Sequence, residues 1–467
     1  MAGKESILNQ IHIFESQHAA IPCLTPSSPT FDQVRAIYAH PEIAPLAIIR
    51  PQSIEDVSTT LSSLSANRIP FTVRSGGHDM HGRSMRNDAV ALDMRLLNSV
   101  RIHSIPEEGK EAEKTSSTAM VGGGILTGDL ISALQEQGFV TPVPSLPAVG
   151  YVGWAMYGGY GAYSARFGLG VDQIAGARVV DARGVVVEAD HELLTGIRGA
   201  GGAFGVVVEL TVRIYRVDRI LAGMIMFKSD NLSSVIPEYN RRYRALAASG
   251  LPPPLSVQQG VLNAPTPTFT VLFVWSSPGL DEGYKWLAKI KSLGPFIAST
   301  VQETTPRGCL EEAERHFAKS TQGSMWTISL RSITDEVANV IAHYTTNMPS
   351  DPHILFDMHQ LRVCSPCARP KELKSVFSAR EPHFAVEINT IVEDGRKLGD
   401  ALAWGRDFRD ALRKTSAENI FPAQYLSFMR EEEVDHSKIF GDHLSFLRGL
   451  KERLGPGNVF KAAISYL

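Results

Sequence analysis

Three observations predict a protein of the α+β class with more than one domain. The 467 residues are too many for one simple hydrophobic core, which favours two or three domains. Short β-type runs alternate with helical patterns over residues 45–217, as in an α/β unit. Over residues 218–415, strand candidates are separated by long helical stretches, an arrangement typical of an antiparallel sheet in an α+β domain. We therefore predict three segments, at residues 1–217, 218–415 and 416–467.

The first segment has the clearest helix signals. Ser53 is placed to cap a helix, with Glu55 and Asp56 in its first turn. A second helix is predicted to begin at Ile125 and to end near Gly138. The β-type runs predict strands at residues 46–49, 70–73, 89–92, 177–180 and 205–212. Further along, strands are predicted at 220–227, 268–274 and 325–329, and one helix at 435–454.

The composition is that of an ordinary globular protein, with 43% hydrophobic and 20% charged residues. A net charge of −3 gives no reason to expect nucleic acid or an anionic membrane as a partner. No apolar run is long enough to span a bilayer, and the first six residues lack the apolar stretch of a secretory signal. We therefore expect a cytoplasmic protein.

The most informative stretch is Arg74-Ser75-Gly76-Gly77-His78, which directly follows the strand predicted at 70–73. Two glycines let the backbone approach a ligand closely, and the N–H groups of such a turn direct partial positive charge at one spot. We therefore expect the turn to cradle an anionic group, with the histidine touching the ring system of the same ligand.

Two further glycine-rich segments accompany this turn. Residues 142–170 carry seven glycines, and residues 198–207 form the other segment. Three such segments suit a long, phosphate-bearing dinucleotide, although none has the Rossmann or Walker A pattern. Aromatic residues interleaved with the seven glycines favour a buried segment over an exposed loop: Tyr151, Trp154, Tyr157, Tyr160 and Tyr163.

Taken together, these segments resemble the vanillyl-alcohol-oxidase-type flavoproteins, in the branch with berberine bridge enzyme and 6-hydroxy-D-nicotine oxidase. The resemblance implies a PCMH-type, two-subdomain FAD-binding domain built from residues 1–217 and completed by residues 416–467. Residues 218–415 are then an α+β substrate domain with an antiparallel sheet. The matching segments span nearly the whole chain: residues 74–78, 146–161, 167–174, 198–207 and 457–460.

The resemblance also implies how FAD is held. In this family the histidine of the turn is joined covalently to the 8α-methyl group of FAD, and His78 has that position here. His81, three residues further on, is the competing candidate. The predicted FAD-binding residues are His78, Arg74, Ser75, Gly76, Gly77, Asp79, Ser84, Pro147, Val149, Gly150, Gly153, Trp154, Gly158, Gly159, Gly161, Val171, Gly205, Val206 and Val207.

The chain departs from the family pattern at two places beside the flavin. Many relatives attach FAD a second time through a cysteine where this chain has Leu146, so we predict a single covalent link. Trp154 stands where several plant members have a histidine. An indole can shape a pocket but is neither an acid nor a base, so any role of that histidine is absent here.

Candidate catalytic residues lie on two predicted strands of the central segment. Residues 383–389 alternate so that His383, Glu387 and Asn389 share one face. Glu387 falls where berberine-bridge-type enzymes place their catalytic glutamate, and a position against the flavin would suit it to accept a proton. Residues 354–360 offer Asp357 and His359 on one face in the same way. An ordinary solvated sheet face is the alternative for both strands.

The tail supplies one more catalytic candidate. The asparagine–tyrosine pair that is usual in the family is replaced here by His443 and Leu444. His443 is retained as a candidate, whereas the loss of the phenol removes one possible base.

Four cysteines are too few for a disulfide framework in a chain of this length. Cys364 and Cys367 form a solitary CxxC, which is either a redox pair, half of a zinc site, or two loop thiols. Because no second ligand pair is present for tetrahedral zinc, we predict no metal.

The sequence therefore predicts an FAD-dependent oxidoreductase. It would remove a hydride from a C–H bond next to an O–H or N–H group and pass the electrons to oxygen or another acceptor. Tyr151, Trp154 and Tyr157 favour a small aromatic or alkaloid-like substrate, as in secondary metabolism, over a sugar. The departures at Trp154, His443 and Leu444 motivate the alternative, a flavin-bearing cyclase or isomerase with no net oxidation.

Overall fold

The structure is a computed structural model that describes residues 2–103, 117–315, 321–366, 374–454, 458–464 and 467. Its strands are β1 (Cys23–Leu24), β2 (Ala47–Ile49), β3 (Phe71–Arg74), β4 (Val90–Asp93), β5 (Val100–His103), β6 (Thr118–Gly122), β7 (Phe139–Val140), β8 (Ile174–Val180), β9 (Val186–Glu188), β10 (Val206–Arg213), β11 (Tyr215–Arg216), β12 (Ile220–Phe227), β13 (Leu255–Asn263), β14 (Pro267–Trp275), β15 (Phe296–Ser299), β16 (Gln302–Thr304), β17 (Met325–Leu330), β18 (Leu355–Leu361) and β19 (His383–Asn389).

Helices connect and flank these strands. They are α1 (Ala2–Gln17), α2 (Phe31–Arg35), α3 (Ile54–Ala66), α4 (Thr127–Gln135), α5 (Tyr151–Met156), α6 (Ser164–Phe167), α7 (Gly170–Gln173), α8 (His191–Ala200), α9 (Leu232–Ala248), α10 (Leu280–Lys291), α11 (Pro306–Glu314), α12 (Asp335–Thr346), α13 (Leu398–Arg413), α14 (His436–Phe440) and α15 (Leu444–Leu454). None of the helices so described is long and apolar enough to cross a membrane.

The first part of the chain forms two main sheets. Strands β1-β2-β4-β3 form a four-stranded sheet in which β4 pairs in parallel with β2 and β3. Strands β5-β6-β10-β8-β9 form a five-stranded antiparallel sheet, and β7 pairs with β11. The five strands predicted in this part are present as β2, β3, β4, β8 and β10, with ends displaced by three residues at most.

The helix signals of the first part are confirmed in detail. The Ser53 side chain accepts a hydrogen bond from the N–H of Asp56, and the Asp56 carboxylate accepts one from the N–H of Ser53, which together form a capping box. Helix α4 begins at Thr127, two residues later than predicted, because Leu126 is still extended and bridges to Gly150.

A single antiparallel sheet dominates the central part. Its strand order is β15-β12-β14-β13-β18-β19-β17, and β16 also pairs with β12. This confirms the predicted α+β class with an antiparallel sheet. The sheet lies within residues 218–415, whereas the exact domain limits at 217 and 415 stay predictions.

One face of this sheet is covered by helices. Phe384, Val386 and Ile388 of β19 belong to the same buried cluster as Trp404 and Phe408 of α13. The alternation of β19 therefore directs its polar residues to the opposite face of the sheet.

The prediction of one continuous helix over residues 435–454 is wrong. The structure has two helices, α14 and α15, separated by a turn of 3₁₀ helix at residues 441–443. Gly441 takes a φ of +52°, a left-handed conformation that cannot continue an α-helix.

The tail packs against the first part of the chain. The ring of Phe460 meets that of Phe71 edge-on, with centroids 5.9 Å apart. Leu447 and Leu450 of α15 join the buried cluster around the five-stranded sheet. These contacts support the prediction that residues 416–467 complete the first domain.

The packing of α13 on the sheet is testable through Phe408, which is fully buried and stacks on Tyr344 with centroids 4.9 Å apart. Phe408→Ala should lower the free energy of unfolding by about 3–5 kcal/mol, because it removes a core ring and leaves a cavity. Denaturant unfolding measures this. Arg406→Ala, at an exposed position of the same helix, should change it by less than about 0.5 kcal/mol. Equal effects would contradict the packing described.

Candidate active site

A cavity of about 360 Å³ lies between the glycine-rich segments and the polar face of the central sheet. One wall comes from the turn after β3, the second glycine segment and the third segment: Ser75, Gly76, Gly77, His78, Asp79, Ser84, Val149, Gly150, Gly153, Trp154, Gly202, Gly205, Val206 and Val207. The opposite wall comes from β13, β17, β18 and β19: Gln258, Met325, Leu355, Asp357, His359, Glu387 and Asn389. The three glycine-rich segments and the two strands that carry the catalytic candidates therefore meet at one place.

The first two glycine segments touch backbone to backbone. A Cβ atom on Gly76 would lie 2.3 Å from the nitrogen of Gly150 and 2.4 Å from the carbonyl oxygen of Ala148. A Cβ atom on Gly150 would in turn lie 2.5 Å from Oγ of Ser75. Distances this short exclude any side chain, so glycine is required at both positions. The contact fixes the turn against the second segment along the cavity wall.

Three buried hydroxyl groups on this wall have no hydrogen-bond partner among the described residues. They belong to Thr72, Ser75 and Ser84, and all three residues line the cavity. An unpaired buried hydroxyl is costly and points to an unrecorded partner. Acceptor-rich groups such as phosphate and ribose oxygens would satisfy them, so the residues present fit a dinucleotide such as FAD.

His78 lies on the cavity wall as a buried, neutral imidazole. Burial lowers its pKa to about 4, and the nearby Arg74 guanidinium contributes in the same direction. Its ring stacks on that of Tyr38, with centroids 4.6 Å apart and an angle of 19°. His81 does not line the cavity, although burial also lowers its pKa to about 4. The geometry therefore favours His78 as the residue that meets the ligand ring.

Asp357, His359 and Glu387 form a cluster on the opposite wall. Asp357 and Glu387 are direct partners across the β18–β19 ladder, and His359 lies two residues along the same face. Nε2 of His359 is 3.8 Å from Oδ1 of Asp357 and 3.7 Å from Oε2 of Glu387. The amide of Gln258 donates a hydrogen bond of 2.7 Å to Oδ2 of Asp357. We call these three residues the acid–histidine cluster.

The surroundings of the cluster shift the pKa values of Asp357 and His359. Burial raises the pKa of Asp357 to about 7, and the negative charge of Glu387 contributes in the same direction. Burial alone lowers the pKa of His359, but the two carboxylates outweigh it, so the net direction is upward. A buried carboxyl group whose pKa is raised to about 7, beside an imidazole whose pKa is also raised, is suited to take and release a substrate proton.

The same cluster has a spacing that could hold a cation. One potential ligand atom from each residue lies within 4.8 Å of the others. The prediction that the protein carries no metal therefore stays a prediction.

His383 was predicted to share the polar face of β19 with Glu387. It is not part of the acid–histidine cluster. Its Nδ1 donates to the carbonyl oxygen of Glu381 at 2.7 Å, and its Nε2 accepts from the hydroxyl of Tyr160 at 2.7 Å. Burial lowers the pKa of His383 to about 4, so the ring is neutral. His383 therefore orients Tyr160, which itself lines the cavity.

Several cavity residues were not predicted from the sequence, and Tyr425 is the most informative. Its phenolic oxygen accepts a 3.4 Å hydrogen bond from the N–H group of Gly159. Burial raises its pKa, so the phenol is neutral. Tyr425 thus places a phenol at the cavity although Leu444 replaces the family tyrosine. The other unpredicted cavity residues include Tyr38, Thr72, Gln258 and Phe428.

Six of the predicted FAD-binding residues do not line the cavity. Arg74 donates to the carbonyl oxygens of Val34 and Ala36, which ties the turn to the end of α2. Gly159 acts through its hydrogen bond to Tyr425, and Val171 is a core residue. The full set is Arg74, Pro147, Gly158, Gly159, Gly161 and Val171.

Two further predictions need correction. His443 is exposed in the turn after Gly441 and does not line the cavity, so the structure does not bring this catalytic candidate to the site. Tyr151 is fully buried in the core of the first part and is not a substrate contact, whereas Trp154 and Tyr157 do line the cavity.

Two sequence signals fall partly outside the described residues. Of the CxxC pair, Cys364 is a free thiol, whereas Cys367 lies in the undescribed part. Gly457, the first residue of the tail segment that resembles the family, lies outside it too. The Phe460 end of that segment is described and lines the cavity.

Comparison with known proteins agrees with this architecture. Residues 45–190 match the FAD binding domain family. The chain is 33% identical to the FAD-linked oxidoreductase aurO of Gibberella zeae over 451 residues, which cover 95% of this chain and 85% of that protein.

Two solved structures share the fold. Wild-type BBE-like 1 of Physcomitrella patens superposes with a TM-score of 0.79 at 18% identity, over 96% of this chain and 97% of that one. Glucooligosaccharide oxidase of Acremonium strictum, described with a 6-S-cysteinyl, 8α-N1-histidyl FAD, gives a TM-score of 0.79 at 17% identity, over 96% and 97% of the two chains.

The matched FAD binding domain and the observed sheets define a flavoprotein of the α+β class. More particularly, the chain belongs to the FAD-linked oxidoreductases, and it shares the fold of a berberine-bridge-enzyme-like protein. Because aurO is an oxidoreductase, the comparison does not favour the alternative of a cyclase or isomerase with no net oxidation.

The pKa of Asp357 predicts a pH-dependent stability. Because the folded state raises this pKa from an ordinary 3.8 to about 7, the folded protein binds more protons than the unfolded chain between those values. Stability from this group is therefore present below pH ~4 and is lost as the pH rises towards about 7.

Asp357→Asn should remove that loss, so the variant should gain melting temperature over the wild type as the pH rises from about 4 to about 8. The corresponding gain in free energy of unfolding is on the order of a few kcal/mol, since each pKa unit is worth about 1.36 kcal/mol. Thermal unfolding at several pH values measures it, with the exposed Asp88→Asn as a control. Parallel curves for wild type and Asp357→Asn would contradict the assignment.

Proposed function

We propose that this protein binds FAD in the cavity through a single covalent bond at His78 and oxidises a small aromatic or alkaloid-like molecule. This proposal rests on one observation, that the two walls of the cavity face each other. A glycine-lined wall with unpaired hydroxyls suits a dinucleotide, and the acid–histidine cluster stands opposite. Oxygen or another acceptor would take the electrons.

The glycine wall would hold the cofactor through its own groups. Thr72, Ser75 and Ser84 offer hydroxyl donors, and the backbone around Gly76 and Gly150 leaves space for close approach. When bound, FAD supplies the hydride acceptor for a C–H bond next to an O–H or N–H group. Leu146 replaces the cysteine of doubly linked relatives, which supports one covalent bond rather than two.

The acid–histidine cluster would handle the substrate proton. Oε2 of Glu387 accepts the proton from the substrate O–H or N–H group, and Nε2 of His359 stabilises the carboxylate at 3.7 Å. Oδ1 of Asp357 is buried without a hydrogen-bond partner among the described residues, so it can accept a further polar hydrogen from the substrate. Gln258 holds the other Asp357 oxygen in place.

Aromatic side chains around the same cavity support an aromatic substrate. Trp154, Tyr157, Tyr425 and Phe428 all line it, and Tyr425 and Phe428 meet edge-on with centroids 4.7 Å apart. Flat rings bind well between such side chains. A panel of phenols, benzylic alcohols, heterocyclic amines and oligosaccharides, mixed anaerobically with the protein, tests the class. The substrate should bleach the flavin, and air should restore the colour; a product of unchanged mass would contradict oxidation.

The covalent bond predicts a colour that survives denaturation. After acid precipitation the wild-type pellet should stay yellow, and the His78→Ala pellet should release its flavin. His81→Ala should keep the colour in the pellet, because His81 does not line the cavity. Absorbance of pellet and supernatant measures both. A colourless His81→Ala pellet beside a yellow His78→Ala pellet would reverse the assignment.

The proposed role of Glu387 as proton acceptor predicts that a variant at this position reduces the flavin slowly. Glu387→Gln should lower the rate constant of flavin reduction by substrate about 10²- to 10⁴-fold, because a general base is lost while the shape is kept. Its flavin content should equal that of the wild type. Stopped-flow absorbance measures the rate, and Glu303→Gln, at an exposed position of β16, is the matched control. An unchanged rate would exclude Glu387 as the proton acceptor.

A further inference from the structure

Tyr38 is fixed directly over the imidazole of His78. The backbone N–H of Tyr38 donates a 2.9 Å hydrogen bond to the carbonyl oxygen of Gly77. The carbonyl oxygen of Tyr38 accepts a 2.5 Å hydrogen bond from the hydroxyl of Thr321. The Tyr38 ring also packs against a small buried cluster that joins the first part of the chain to the central sheet. That cluster consists of Ala39, Met80, Met325 and Ile391.

The stack with Tyr38 is the contact that orients the His78 ring. Among the described residues, no hydrogen bond to the imidazole nitrogens is present, and the 4.6 Å stack is its ring contact. A histidine side chain whose ring makes no hydrogen bonds can adopt several rotamers unless packing stabilises one of them. Hydrogen bonds hold the backbone of Tyr38 at both its N–H and its carbonyl oxygen. Its ring, stacked on the imidazole, therefore fixes the orientation of the His78 ring.

We propose that Tyr38 is the positioning residue for covalent attachment of the flavin, because its ring holds His78 in the orientation that attachment requires. This inference rests on the proposed function, in which His78 carries the bond. Attachment joins a ring nitrogen of His78 to the 8α carbon. It removes one hydrogen from the nitrogen and one from the carbon, and the two electrons leave through the isoalloxazine to dioxygen, which becomes hydrogen peroxide.

The aromatic face of Tyr38, rather than its hydroxyl, is assigned this role. Burial raises the pKa of the phenol, and the negative charge of Glu387 raises it as well, so the hydroxyl stays protonated. A phenol that stays protonated is not available as a base for His78. The two parts of the side chain can therefore be separated by substitution.

The experiment compares Tyr38→Phe, which keeps the ring, with Tyr38→Leu, which removes it. Each protein is incubated with FAD in air, denatured at intervals, and resolved by gel electrophoresis, where covalent flavin is read by its fluorescence. Tyr38→Phe should follow the wild type. Tyr38→Leu should attach flavin about 2- to 10-fold more slowly, the factor expected for loss of one aromatic pair. Tyr284→Leu, at an exposed tyrosine, should match the wild type.

Thermal unfolding and total bound flavin, measured on the same samples, show whether each variant is folded and binds FAD without the bond. An unchanged rate in Tyr38→Leu would overturn the inference while leaving the His78 bond intact. An equal slowing in Tyr38→Phe would overturn it in favour of the hydroxyl. Absence of covalent flavin from the wild type would instead remove the proposed bond, and this inference with it.

Discussion

Gly76 and Gly150 pack against each other so closely that neither has space for a Cβ atom, and the rest of the site depends on this contact. It brings a turn that follows a parallel strand onto a distant segment of the chain. The unpaired hydroxyls, the neutral imidazole of His78 and the glycine-lined surface then lie on one wall. A side chain at either position would push the two segments apart, because backbone atoms on the other side cannot move aside as a flexible side chain can.

The opposite wall depends on register in an antiparallel sheet. Asp357 and Glu387 are direct partners across β18 and β19, so two carboxylates that would repel in isolation lie side by side. His359 between them and the Gln258 amide make the arrangement tolerable. A slip of one residue in this register would place the charged groups in the apolar layer with Phe384 and Phe408. Burial of the apolar face of the sheet against the helices therefore fixes the register that places the acid–histidine cluster on the opposite face.

Local signals explain what the sequence alone could predict. The capping box at Ser53 and the alternation over 383–389 each depend on neighbours a few residues apart, and both are present as expected. The glycine segments were identified because close backbone approach demands glycine whatever the partner. The helix break at Gly441 was missed because a glycine inside an otherwise regular pattern is compatible with a continuous helix.

The parts that sequence reasoning missed depend on long-range contacts. Tyr38 stacks on His78 although the two are far apart in the chain, and Tyr425 accepts a hydrogen bond from the N–H group of Gly159. No periodicity connects these residues, so their place at the cavity follows only from the folded chain. His443 shows the converse: its alignment with a family position suggested a role, but the turn at Gly441 leaves it exposed.

We propose that one cavity holds FAD against His78 and presents it to the acid–histidine cluster. A crystal structure of the holoprotein purified with its own flavin tests this most directly. We expect continuous electron density from a ring nitrogen of His78 into the isoalloxazine, with Asp357, His359 and Glu387 facing that ring system across the cavity. Density that places the flavin elsewhere, or an isoalloxazine separated from that cluster by protein, would contradict it.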